Sequence, residues 1–343
     1  MHNKTAQLAA AVSAITLGLT VTGQAMAADN YRLSTLEPGS SSYMIMSTFA
    51  QMVNSDEDLD VNIQVNATGA ATQHALEAGI GDIDFFMWSA SVHDSMKQGI
   101  NMYAPIPHAQ ERSENVRGVM AFPQGFYHFI TDADSGIESL EDLAGHRVFL
   151  GPPGGGATVV MRQTIEAATG LVANEDYEAV NLGWNAATQA YQDGRLDVYI
   201  NPTLPPSPTI EQFALSREIR LLGLTEEQME KPEMVSIVNR PGGVTGTIDP
   251  DDYGENVVNQ EPVLTLGSIS GIGTGKHLSA DEVYAITKSF WEQAEEQRER
   301  TPWLRHVRLE TAIEHLNLPL HPGAERYYRE VGLEIPDELV AQD

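Results

Sequence analysis

An α/β architecture with mostly parallel strands is predicted by two features of this 343-residue chain. Short apolar runs of strand length alternate with helix-compatible runs, the pattern of repeated βα units. Small glycine- or serine-rich loops stand between strand ends and helix starts, where open α/β sheets bind ligands. The chain contains no cysteine, so buried apolar surface rather than disulfide bonding has to hold it together. At this length two domains are expected rather than one.

Taken in order, the chain begins with Lys4, an apolar stretch over 8–21 and the small residues Ala25-Met26-Ala27. This reads as a secretory signal peptide, 1–27, cut after Ala27. Ser13, Thr16, Gly18, Thr20 and Thr22 interrupt the apolar stretch, which is too short for a membrane anchor. The mature protein is expected in a bacterial periplasm. Residues 31–35 read as a strand and 43–53 as a helix after a Gly-Ser loop. Residues 61–65 alternate as a strand, 70–78 return to helix, 83–87 form a short buried strand, and 89–98 suit a helix. The theme repeats with strand 147–150, helix 159–169, strand 179–182, helix 186–192 and strand 196–200.

Charge limits the partners. Asp and Glu number 48 against 20 Lys and Arg, a formal net charge of −28. Counterion release needs clustered bases, so nucleic acid and anionic membranes are not expected partners. The acids are dispersed, and only five of the twenty bases are lysine, as on a solvated halophile-like surface. No acidic run matches a calcium loop, and no metal is expected.

The loop Gly151-Pro152-Pro153-Gly154-Gly155-Gly156-Ala157-Thr158 lies between a strand and a helix. Free backbone N–H groups and the positive end of a helix dipole favour an anion there. Three readings stay open: a nucleotide-phosphate cradle, a cradle for a small carboxylate, or a tight turn. A P-loop ends in Gly-Lys-Ser/Thr, but Ala157-Thr158 follows Gly156, and no lysine occurs between Lys97 and Lys231. Similar loops occur at Gly39-Ser40-Ser41-Ser42-Tyr43, Thr68-Gly69-Ala70, Trp88-Ser89 and Gly183-Trp184-Asn185. Each alone is an ordinary helix cap or turn, but their recurrence suggests one shared cleft.

An enzyme has little to work with. The ten histidines include no His-Glu-x-x-His, and there is no cysteine nucleophile. Gly267-Ser268-Ile269-Ser270-Gly271 puts Ile269 where a nucleophile elbow needs serine.

The segment 318–332, Leu-Pro-Leu-His-Pro-Gly-Ala-Glu-Arg-Tyr-Tyr-Arg-Glu-Val-Gly, resembles the signature of the TAXI subgroup of TRAP-transporter solute-binding proteins. Residues 135–148, leading into the glycine loop, and the segments 194–197 and 218–222 are also similar to that family. The resemblance implies a type II periplasmic-binding fold, with lobe I from 28–122 plus 231–343 and lobe II from 123–230. It also implies a ligand-closing hinge between the lobes, a small carboxylate ligand, and delivery to a TRAP membrane permease driven by an ion gradient. No cofactor is implied, and a monomer is expected. A periplasmic sensor on the same fold is the alternative.

Carried over by position, the expected ligand-binding residues are Ser41, Ser42, Tyr43, Thr68, Gly69, Ala70, Trp88, Ser89, Gly154, Gly155, Gly156, Ala157, Trp184 and Asn185. Asn201 and Thr203 join them from the end of the 198–200 strand. The chain departs from the family where Ser42 replaces a tyrosine, Ala70-Ala71 replaces Gly-Ser, Ser91 replaces an aspartate, and Gly155 and Ala157 replace hydroxyl residues. These changes point to a simple organic acid with an apolar or cyclic body resting on Trp88 or Trp184. Backbone N–H groups at Ser41-Ser42 and Gly155-Gly156 are expected to hold its carboxylate, helped by the Tyr43 and Thr68 hydroxyls. Arg162 and Arg240 are candidate clamps, each also readable as a structural ion pair. The His321, Arg326, Tyr327 and Tyr328 block is expected to serve structure or permease contact.

Overall fold

Residues 29–38 and 40–342 are described in the computed structural model; the leader expected over 1–27 lies outside the described residues. The expected alternation opens the fold. Strand β1 (Asp29–Ser34), helix α1 (Ser41–Asn54), β2 (Val61–Asn66), α2 (Ala71–Ala78), β3 (Phe85–Ser89) and α3 (Ala90–Gln98) follow one another. β1 pairs in parallel with both β2 and β3. After α4 (Ala109–Ser113) comes β4 (Val116–Asp132), 17 residues long.

A second alternation follows: β5 (Arg147–Phe149), α5 (Gly156–Thr169), β6 (Glu178–Ala179), α6 (Trp184–Gln192), β7 (Val198–Thr203), α7 (Pro208–Ser216) and β8 (Ile219–Leu222). Its β5–β6 and β5–β7 pairs are parallel. The chain then forms α8 (Glu226–Met229), α9 (Pro232–Val238), β9 (Gly243–Ile248), β10 (Val263–Gly275), α10 (Ala280–Gln297) and α11 (Pro322–Glu330). The α/β class expected from the alternation is observed, but the sheet is not mostly parallel: β1–β2, β1–β3, β5–β6 and β5–β7 are parallel, whereas every pair made by β4 or β10 is antiparallel.

All ten strands join in the order β2-β1-β3-β10-β4-β7-β5-β6, with β8 beside β4 and β9 beside β10. β4 and β10 run antiparallel through the middle and belong to both halves of the sheet. One core gathers the β1–β3 side with α1, α3, α10 and α11, through residues such as Leu33, Phe49, Phe85, Phe290 and Tyr328. The other half has two cores because side chains alternate along its strands. Phe129, Val148 and Ile200 enter one core with Ile165 and Met234. Their neighbours Ile130, Phe149 and Tyr199 enter the other with Trp184 and Phe213.

This packing differs from the expected partition at one place. The expectation groups 231–343 with the first lobe, but Met234, Ile237, Ile248, Tyr253, Val263 and Leu266 pack in the second half's cores. β9 pairs with the N-terminal part of β10, and that part adjoins Gly125 and Phe126 of β4. The first core resumes at Ile269. Element ends also shift. α5 starts at Gly156, three residues before its expected start, and the strand expected over 179–182 is only Glu178–Ala179. The strand expected to end at Ile200 continues to Thr203.

Among the described residues four histidines are buried, His74, His93, His128 and His321, and burial lowers the pKa of each. His128 Nδ1 donates to the Phe126 carbonyl at 2.8 Å, and its Nε2 accepts from the Tyr253 hydroxyl at 2.8 Å. Burial pushes His128, His93 and His321 down to about 4. The unfolded chain, with histidines near 6.5, then binds more protons across the interval between these values. The stability these rings contribute is present above about pH 6.5 and lost as pH falls to about 4, on a scale of ~3 kcal/mol per ring. Urea unfolding midpoints should drop steadily between about pH 7 and 4.5; a flat profile would contradict this.

Candidate functional site

The two halves of the sheet meet at Pro123-Gln124-Gly125. Ile269 pairs with Pro123 and Ser268 with Gly125, so Gln124 is the extra residue of a β-bulge. Such a bulge re-aims its side chain out of the ladder. Gln124 Oε1 accepts from Ser270 Oγ at 2.6 Å and from Ser268 Oγ at 3.4 Å, and its Nε2 donates to Ser42 Oγ at 3.3 Å. Ser268 also hydrogen-bonds the Tyr127 phenol, which burial pushes up to about 12 and keeps neutral.

Gln124 and Tyr127 belong to the wall of a cleft with about 1050 Å³ of free space, counted to its open mouth. Gly69, Ala70, Ala71, Ser89, Ser91 and Val92 line it from one side. Gly155, Gly156, Ala157, Val160 and Trp184 line it from the other, and 237–244 and 266–269 complete the wall.

The helix starts around the cleft share a property. α2, α3, α5 and α6 begin at Ala70, Ser89, Gly155 and Gly183, and none of these N-caps supplies a side-chain hydrogen bond. Elsewhere the starts are mixed: Ser279 and Thr225 close capping boxes on α10 and α8, while α4, α7 and α9 also begin without a side-chain cap bond. Leaving a cap open forfeits about 1 kcal/mol where alanine stands there and only a few tenths where glycine does, and it leaves backbone N–H groups and the dipole's positive end for another acceptor.

The two halves of the sheet, with their surrounding elements, approach each other across the cleft at several points. Ser41 Oγ donates to Thr203 Oγ1 at 2.9 Å. A Cβ at Gly156 would stand 3.1 Å from Val92 Cγ2, and one at Gly183 would stand 2.8 Å from Glu37 Oε2. The lining contains one base, Arg240, and one acid, Glu37. Arg240 is half-buried and its Nη1 donates to Gln163 Oε1 of α5.

Of the residues expected from sequence, Gly69, Ala70, Ser89, Gly155, Gly156, Ala157 and Trp184 come together in this lining. Trp184 presents a buried wall, packed edge-on against Phe149 with centroids 5.3 Å apart, and its Nε1 has no partner.

The others stand elsewhere, each for a visible reason. Ser40, not Ser41 or Ser42, caps α1, so the two later serines lie inside the helix, buried. Their hydroxyls are engaged with Thr203 and Gln124. Tyr43, one residue further, is half-buried and outside the lining. Thr68 donates to Asn66 Oδ1 and accepts His74 Nε2 on its carbonyl. Trp88 is buried in the first core on β3. Gly154 is a turn residue at φ +73°, and Asn185 is exposed on α6. Asn201 and Thr203 are buried within β7, where Asn201 donates to Tyr199 OH and Thr203 accepts from Ser41.

Arg162 is exposed and outside the lining, and of the two candidate clamps only Arg240 lines the cleft. Glu37, Gln124, Tyr127 and Ser268 are lining residues not singled out as ligand contacts from sequence. The Pro-Gln-Gly run at 123–125 is the sequence signal that marks the bulge. The terminal block is structural in what it touches. His321 Nδ1 accepts from Gly323 N and its Nε2 donates to the Leu278 carbonyl, while Tyr328 donates to the Val119 carbonyl.

Residues 33–332, nearly the whole described chain, match the NMT1-like family. The chain belongs to the NMT1-like family. Among solved structures, this NMT1-like chain is similar to an alkanesulfonate-binding protein from Xanthomonas axonopodis pv. citri bound to MOPS. The identity is 12%, the match covers 88% of this chain and 83% of that one, and the TM-score is 0.47. It is also similar to a TRAP periplasmic solute-binding protein from Chromohalobacter salexigens with bound D-glucuronate, at 12% identity, 89% and 87% coverage and TM-score 0.46. A third, from Sulfitobacter sp. NAS-14.1 with bound β-D-galacturonate, gives 11%, 89% and 88%, and 0.45. At this distance these matches place no ligand and no contact residue on the NMT1-like chain.

Proposed function

We propose that this chain is an extracytoplasmic solute receptor that encloses a small carboxylate in the cleft and passes it to a TRAP-type, ion-gradient-driven permease. The observation that carries the reading is the convergence of four uncapped helix starts and Arg240 on one mostly apolar cleft. Together they offer backbone donors and one charge-assisted donor to an anion, while the walls remove its body from water. Ala70, Gly156 and Ala157 contribute backbone, the expected Gly155 N–H being spent on the Pro152 carbonyl at 3.0 Å, and Trp184 and Tyr127 contribute the aromatic faces. The net charge of −28 repels anions at long range, but screening over roughly 8–10 Å leaves the local field of the cleft in control.

The lobes are assigned on the same reading as 29–122 plus 269–342 and 126–266, hinged at the Gln124 bulge. The TAXI subgroup, the cleaved leader and the periplasmic location belong to this proposal as well. A thermal-shift screen of organic acids tests it. A ligand at one hundredfold its Kd should stabilise the protein by about 2.7 kcal/mol. A screen in which no acid raises the melting temperature, while substrate turnover is detected, would replace the receptor with an enzyme.

A further inference from the structure

Glu37 stands where a second anionic group of a ligand would have to go. It lies in the loop between β1 and α1, and Gly183, the N-cap of α6, faces it from the other half of the molecule. A Cβ at Gly183 would lie 2.8 Å from Glu37 Oε2 and 3.1 Å from Oε1, so the carboxylate occupies the space that the missing side chain leaves. Among the described residues no base pairs with this carboxylate. Its charge therefore meets the cleft with no basic partner, set at an open helix start whose positive end it takes in place of another anion. Arg240 lies at a separate part of the wall, bonded to Gln163 of α5. Much of the remaining lining is apolar, including Leu36, Met87, Val160 and Leu266.

The geometry points to Glu37 as a specificity-determining residue: its carboxylate stands in for a second ligand carboxylate at the start of α6, so the cleft takes a monoanion with an apolar body and rejects a dianion. This inference rests on the carboxylate reading of the cleft. A dicarboxylate bound through Arg240 must bring its second charge toward Glu37 or leave it on apolar wall. The first is opposed by like-charge repulsion and the second by desolvation. Discrimination of this kind works by raising the cost of the wrong ligand rather than by adding contacts to the right one.

The test is titration calorimetry at low ionic strength on the wild-type protein and Glu37→Gln, with matched pairs of acids from butyrate and succinate to octanoate and suberate. Glu37 is exposed, and the uncharged variant keeps its shape, so folding is not at stake. The wild type should prefer the monocarboxylate of its best pair by about tenfold or more, and Glu37→Gln should narrow that ratio to within about threefold. A ratio unchanged by the substitution, or a wild type that takes both acids equally, overturns the inference and leaves the carboxylate reading standing. A wild-type preference for 6-aminohexanoate over hexanoate that Glu37→Gln abolishes also overturns it, by making Glu37 an ammonium-binding group. If no acid of any kind binds the wild type, the carboxylate reading itself fails.

Discussion

Gly125→Ala is expected to destabilise the fold severely. Gly125 has φ +123°, and a Cβ there would lie 2.0 Å from the carbonyl carbon of Thr203, 2.2 Å from its oxygen and 2.5 Å from Leu204 N. All three are backbone atoms, so no side chain can swing aside. The clash falls where β4 leaves the bulge and starts its pairing with β7, Phe126 against Thr203. Relief would require the two halves of the sheet to separate at that register. Strain at the φ and overpacking together put the cost on the order of 4 kcal/mol, a large share of a domain's whole stability. Gly136→Ala is the control, since its φ is +79° but nothing lies within 4 Å of the added carbon. It should lose only the left-handed backbone cost, roughly 1–2 kcal/mol. Denaturant unfolding of the two variants side by side measures the difference, and similar losses would mean that the close approach at Gly125 is not a constraint.

The second large effect is on binding. Arg240→Met keeps an apolar stem along the wall while removing the one cation of the lining. A hydrogen bond to a charged group contributes about 1.5–3 kcal/mol, so affinity for an acid should fall by roughly 10- to 100-fold. Arg162→Met removes a guanidinium that is exposed and outside the cleft, and should leave affinity unchanged. Titration calorimetry with the tightest acid from the screen decides the matter. Equal affinities for Arg240→Met and wild type would take Arg240 out of the site.

Much of this architecture is legible in the sequence because βα units carry two local signals, apolar runs and small-residue loops. The strands at 31–34, 61–65 and 147–149 and the helices after them were readable for that reason. The two central strands were not. β4 contains Pro123 and Gly125, which argue against a central strand, and they are there because the strand bulges and meets Thr203 at close range. β10, Val263–Gly275, is so rich in Gly and Ser that its middle reads as a failed catalytic motif. Those small residues admit neighbours: a Cβ at Gly271 would lie 2.1 Å from the Met120 carbonyl oxygen, and one at Gly273 would lie 2.6 Å from the Phe86 ring. These are long-range demands, and local periodicity does not express them.

The candidate site divides in the same way. Residues that begin helices after strands, such as Ala70, Ser89, Gly156 and Trp184, could be found by their loops. Ser41, Ser42 and Thr203 looked equivalent but are spent on each other and on Gln124, which depends on how the two halves meet. Arg240 follows α9 in a part of the chain with no βα signal, and Glu37 precedes its loop's small residues by two positions. Nothing local distinguishes either from a surface charge in a chain this acidic. α5 opens onto the cleft through Gly155, Gly156 and Ala157, which carry no side-chain hydroxyl.

The central claim is that the cleft holds a small carboxylate. Native mass spectrometry of gently purified protein, wild type beside Arg240→Met, tests it most directly. The account predicts a one-to-one adduct on the wild type with the mass of an organic acid, absent or much reduced on the variant and restored to the wild type by adding that acid after refolding. Retention of a neutral or cationic solute in place of any acid, equally on both proteins, would contradict it.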